Sequence, residues 1–155
     1  MAVGEIMIAV IGARGCDQRI YDLAYQAGRE LAAHGFTIIC GGLGGVMEAA
    51  CKGAKSAGGK TVGILPGDNP ADANPYVDIP IATGLGVARN LVIIHSARAV
   101  LAVNGSFGTL SELAFALQLN KPVVGLETWN VSEKIITALS AQEAVEKITI
   151  LVRPV

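Results

Sequence analysis

Phe36-Thr37-Ile38-Ile39-Cys40-Gly41-Gly42-Leu43-Gly44-Gly45-Val46-Met47-Glu48 is the stretch that decides the fold. Its β-formers run directly into a glycine-rich turn. The turn opens a segment, Gly44 to Ser56, in which Val46, Met47, Ala50 and Ala54 recur at helical spacing. Strand, glycine turn, helix is an arrangement suited to anions. Without Cβ atoms, backbone N–H groups approach a phosphate closely, and the helix N-terminus adds partial positive charge. The pattern returns where Ala99 to Val103 leads into Asn104-Gly105-Ser106-Phe107-Gly108-Thr109-Leu110-Ser111-Glu112. A third turn, Gly12-Ala13-Arg14-Gly15, follows the unbroken apolar run Ile6 to Ile11, as expected of a central parallel strand covered on both faces.

Outward from these anchors, strands and helices alternate. A helix is predicted from Asp17 to His34 and stopped by Gly35, a strand from Lys60 to Leu65, and a loop from Pro66 to Pro75. Then come a short strand Tyr76 to Ile81, a helix Val87 to Ala97, a helix Thr109 to Leu119 and a strand Pro122 to Leu126. Helices near Ser132 and from Ser140, and an edge strand Ile148 to Val152, complete the expectation. The fold class is α/β: a Rossmann-like, doubly wound, mostly parallel sheet with helices on both faces. The 155 residues predict one domain, 1–155. Ligands of such sheets sit beyond the carboxyl ends of the strands, where strand order reverses, so all three glycine turns are expected to line one crevice.

Composition narrows the function. Hydrophobic residues are 52% of the chain and charged residues 16%, so much of it is expected to be buried in the domain or against another subunit. No apolar run approaches the roughly 18–20 residues of a membrane span, and Met1-Ala2-Val3-Gly4-Glu5 lacks the basic region of a signal peptide. A cytoplasmic protein without a membrane partner is the expectation. Twelve Lys and Arg against thirteen Asp and Glu leave no basic stripe for nucleic acid. Cys16, Cys40 and Cys51 are odd in number and not at zinc-ligand spacing, so no metal site is expected; at least two read as buried small hydrophobes.

Gly-Gly-x-Gly-Gly-Val-Met-Glu at 41–48, Gly-x-x-Gly-Thr-x-x-Glu at 105–112 and Ala88-Arg89-Asn90 between them resemble the Lonely Guy, or lysine decarboxylase-like, superfamily. That family includes phosphoribohydrolases of nucleoside 5′-monophosphates, and a shorter branch contains the molybdenum cofactor carrier proteins. By resemblance, Arg89 and Glu112 match the catalytic arginine and glutamate of the hydrolases. The hydrolases have Arg-Lys where this chain has Arg89-Asn90, and Pro-Gly-Gly where it has Val103-Asn104-Gly105. Both departures, and the short length, are closer to the carrier branch. The resemblance also implies a homodimer or homotetramer. Helix Val87 to Ala97, apolar nearly all round with Leu91 to Ile94 in a row, suits such an interface.

Two functions follow. One is a binding protein that holds a phosphorylated pterin, molybdenum cofactor by resemblance, or a nucleotide, as cargo rather than as a required cofactor, and shields it from water and oxygen. The other is a hydrolase that releases free base and ribose 5-phosphate. The candidate ligand residues are Gly12, Arg14, Gly15, Gly41, Gly42, Gly44, Gly45, Glu48, Arg89, Asn90, Gly105, Ser106, Gly108, Thr109 and Glu112. In a hydrolase, an anionic Glu112 in the first turn of its helix would stabilise positive charge on the ribose or activate water, and Arg89 would grip the phosphate or pair with Glu112. Thr109-x-x-Glu112 also reads as a capping box with no chemistry at all. Glu48 reads equally as a favourable helix-start anion and as a contact to ribose or an amine. His95 reads as a packed or interface residue and His34 as a helix-end partner. Asp68 and Asn69 read equally as lid and plain surface loop.

Overall fold

A computed structural model describes residues 4–153; the reading of the first residues as no signal peptide lies partly outside them. The strands are β1 (Met7–Gly12), β2 (Thr37–Cys40), β3 (Thr61–Leu65), β4 (Ile79–Ala82), β5 (Ala99–Val103), β6 (Val123–Leu126) and β7 (Ile135–Ala138). The helices are α1 (Gln18–Ala33), α2 (Val46–Ser56), α3 (Arg89–Ser96), α4 (Phe107–Gln118) and α5 (Ala141–Val152). The sheet order is β4-β3-β2-β1-β5-β6-β7 and every pairing is parallel. Strand order reverses between β1 and β5.

Alternation along β1 assigns the two faces. Ile8 and Val10 join the core under α1, α2 and α5, whereas Ala9 and Ile11 join the core under α3 and α4. Both sets are fully buried, as the unbroken apolar run of β1 requires. Asp17 caps α1, its Oδ1 accepting from the Ile20 N–H at 2.9 Å. At the other end His34 Nδ1 lies 2.8 Å from the Glu30 carbonyl, the helix-end role read for it. Cys40 and Cys51 are buried with their sulfurs 3.5 Å apart, and Cys16 is exposed.

Three expectations are corrected. The segment after Ser132 is not a helix but β7, which pairs in parallel with β6 through Val123–Ile135 to Leu126–Ala138. The edge strand read at Ile148 to Val152 is the last part of α5. Its buried residues, Ala141, Ala144, Val145, Ile148, Thr149 and Val152, lie on one helical face, while Ile150 is 77% exposed. The β-branched run hides this helical period. The helix read from Val87 begins at Arg89, and Gly86 to Ala88 form a 3-10 turn. The 66–75 loop holds a 3-10 turn, Pro70–Asp72, capped by Asn69. Among the described residues, no helix is long and apolar enough to cross a membrane.

Candidate functional site

At the β1/β5 reversal a cleft of about 180 Å³ opens beyond the strand ends. Gly12, Arg14, Gly41, Arg89, Asn90, Ser106, Gly108, Thr109 and Glu112 line it, so the structure brings nine of the sequence-derived ligand residues together. Val10, Ile11, Leu43 and Met47 complete the lining and escaped the sequence reading. Leu43 is the one non-glycine position in Gly41 to Gly45 and Met47 sits on a helix start, so both read as scaffold.

Gly15, Gly42, Gly44, Gly45, Glu48 and Gly105 do not line this cleft. Gly45 is instead the hinge of the first turn. Its φ is +64°, and a Cβ there would stand 2.3 Å from the Ala13 carbonyl oxygen. That oxygen already accepts the Val46 N–H at 3.0 Å, which locks the α2 start to the β1–α1 loop. From the other side, Asn74 donates its backbone N–H to Gly42 O at 2.9 Å and its side-chain amide to Leu43 O at 2.9 Å, strapping the turn down. Glu48 faces α1 rather than the cleft: burial, and next the charge of Glu48, push the Tyr21 phenol upward. Asp68 and Asn69 are exposed and outside the cleft lining.

The second turn is built differently. Ser106 caps α4, and its backbone N–H donates to Thr109 Oγ1 at 3.2 Å. The cap therefore lies one turn earlier than the Thr109–Glu112 box read from the sequence, and Glu112 sits in the second turn of α4 with no capping duty. Exposed Ser106 and Gly108 leave the N-terminus of α4 open to the cleft, where its partial positive charge favours an anion. Exposed Arg14 adds a full positive charge at the rim.

Arg89 and Glu112 face the same cleft, yet the arginine is occupied by the scaffold. Its Nε donates to Ile64 O at 2.8 Å, one Nη to Gly41 O at 3.4 Å and the other to the Asn90 side-chain oxygen. Asn90 in turn donates to Ser111 Oγ at 3.3 Å. Burial holds the guanidinium below its ordinary pKa, although the neighbouring Glu112 and Cys40 act the other way. Glu112 is 8% exposed, and burial pushes its carboxyl up to about 8 despite the opposing charge of Arg89. At neutral pH it is therefore mainly a neutral acid that can donate a hydrogen bond. No His or Cys lines the cleft, and among the described residues no group of three or more His, Cys, Asp or Glu is placed to hold a metal ion.

A model of the SLOG cluster4 family matches residues 5–153. An uncharacterised protein of Archaeoglobus fulgidus is 46% identical over 140 residues, covering 90% of this chain and 92% of its own. Among solved structures, the molybdenum cofactor binding protein of the phototrophic bacterium Rippkaea orientalis superposes with a TM-score of 0.92 at 35% identity, over 98% of this chain and 100% of its own. The molybdenum cofactor carrier protein of Chlamydomonas reinhardtii superposes with a TM-score of 0.87 at 34% identity, over 96% of this chain and 98% of its own. These neighbours belong to the carrier branch, to which Arg89-Asn90, Val103-Asn104-Gly105 and the short length are closer.

Proposed function

The chain belongs to the SLOG cluster4 family, and from that premise we propose that it is a carrier of a phosphorylated pterin, the molybdenum cofactor in particular, which it binds and releases unchanged. The observation that carries this reading is the state of the Arg89–Glu112 neighbourhood. An N-glycosidic hydrolase needs an anionic carboxylate where positive charge develops on the sugar. Here burial keeps Glu112 protonated up to about pH 8. Arg89, spent on two backbone carbonyls and Asn90, fixes the cleft wall instead of activating the acid. A neutral Glu112 avoids repelling a phosphate and can donate to a ring nitrogen or carbonyl.

The rest of the cleft suits this cargo. The α4 start, with Ser106 and Gly108, and the Arg14 charge take the phosphate; Leu43 and Met47 give the flat ring an apolar wall. Supporting the reading are the two solved neighbours, a molybdenum cofactor binding protein and a molybdenum cofactor carrier protein.

The reading includes a homo-oligomer assembled through the β4 edge. Ile79 and Ile81 on that unpaired edge strand, with Leu85, Val87 and Val92 beyond it, are exposed apolar residues that isolated monomers avoid grouping. The functional test is incubation of the purified protein with AMP and GMP, alongside titration with molybdopterin. The carrier reading expects molybdopterin to bind and both nucleotides to survive intact. Release of free base and ribose 5-phosphate, abolished in Glu112→Ala, would replace it with a hydrolase.

A further inference from the structure

The second glycine turn has two sides. Ser106 and Gly108 face the main cleft, whereas Asn104 and Gly105 face another hollow of about 270 Å³, completed by Glu127, Thr128 and Trp129 at the ends of β5 and β6. The turn is a ridge between the two. Phe107 crowns it and is 81% exposed. Its ring stacks on Trp129 at 6.1 Å between centroids and 24° between planes. The indole N–H donates to Ser106 O at 3.1 Å, so the aromatic pair is tied to the backbone of the ridge itself.

The hollow is held in an unusual backbone state. Asn104 and Glu127, each the residue that follows a strand, have φ of +50°, in the left-handed region that non-glycine residues seldom enter. Cross-links keep them there: the Asn104 N–H donates to Leu126 O at 2.9 Å, and Thr128 Oγ1 donates to Asn104 O at 2.7 Å. Glu127 Oε2 is positioned by Arg19 at 2.7 Å. A carboxylate accepts from several donors at once, so Glu127 retains capacity for hydroxyl groups. An open aromatic face beside a carboxylate is the chemistry that receives a base and its ribose.

We propose that this hollow is a second subsite, occupied when the ligand continues through its phosphate, by a pyrophosphate link, to a nucleoside. The phosphates lie over the ridge at Ser106 and Gly108. The nucleoside's base stacks on the Phe107–Trp129 platform, and its ribose hydroxyls meet Glu127. This rests on the reading of the main cleft as a site for a phosphorylated ring.

Trp129 is the chain's single tryptophan and lines this hollow, so its fluorescence is a single-site probe of it. The test titrates the intact protein with GMP, GDP and diguanosine 5′,5′-diphosphate. The dinucleotide is expected to bind about tenfold or more tighter than GDP, which controls for phosphate charge, and to quench Trp129 where GMP does not. Phe107→Ala should remove that advantage and leave GMP affinity unchanged; circular dichroism checks its fold. Equal affinities for GDP and the dinucleotide, an unquenched Trp129, or an advantage that survives Phe107→Ala would each overturn the second subsite. GMP binding without any gain for the dinucleotide would remove this subsite alone. Failure of GMP, GDP and the dinucleotide alike would likewise overturn the second subsite, and failure of molybdopterin as well would remove the reading of the main cleft with it.

Discussion

Replacing Glu112 by Gln should make the protein more stable, and increasingly so as pH rises. In the unfolded chain the carboxyl titrates at its ordinary value of 4.5, whereas in the fold burial pushes it up to about 8. Below pH 4.5 both states hold the proton and the group is neutral with respect to folding. Between the two values the unfolded chain sheds its proton while the folded one keeps it, so stability falls by about 1.36 kcal/mol per pH unit. Above pH 8 both are ionised and the loss is complete. The interval from 4.5 to about 8 corresponds to about 5 kcal/mol. Gln keeps the shape and cannot ionise, so the variant escapes this loss. Each kcal/mol moves the midpoint of a domain this size by about 2–4 °C, so the difference is large against the error of a melting curve. Thermal unfolding followed by circular dichroism at pH 4, 6 and 8.5 should give superimposed midpoints at pH 4 and a variant melting well above the wild type at pH 8.5. A difference that stays constant with pH, or grows in favour of the wild type, would refute a buried, neutral Glu112.

Other substitutions probe the scaffold and the assembly. Gly45→Ala places a Cβ 2.3 Å from the Ala13 carbonyl at a φ of +64°; it should cost about 3 kcal/mol or more, read as a lowered urea midpoint. Arg89→Lys cannot reproduce the bonds to Ile64 O and Gly41 O; leaving buried carbonyls short of donors should cost about 2–4 kcal/mol and weaken ligand binding together with stability. Ile81→Lys puts a charge on the β4 edge and should shift the mass seen by light scattering towards the monomer without altering the circular dichroism spectrum.

The regions around the glycine turns were the most readable from sequence, because a turn between a buried strand and a helix leaves few alternatives. Gly12 and Gly41 close β1 and β2, Gly108 lies in the first turn of α4 after β5, and all three line the cleft. Beyond β6 the reading failed for a definable reason. Ile148-Thr149-Ile150-Leu151-Val152 has strand propensity, but Ala144, Val145, Ile148 and Val152 share one buried face, and that packing overrides it. The short β7 is set by its pairing with β6, a contact its own sequence does not signal. At the site, Thr109 and Ser106 were both eligible caps, and the choice of Thr109 put Glu112 one turn too early. Nothing local marks Leu43 or Met47 as cleft residues; only the closure of the first turn against β1 brings them there.

The central claim is that the cleft binds a phosphorylated pterin and leaves it unchanged, and mass spectrometry of the small molecules released from freshly purified protein tests it most directly. A pterin bearing an intact phosphate, recovered in stoichiometric proportion and depleted in Arg14→Glu, is the predicted result. A free base together with ribose 5-phosphate, or the absence of any pterin from protein made in cells that synthesise one, would contradict it.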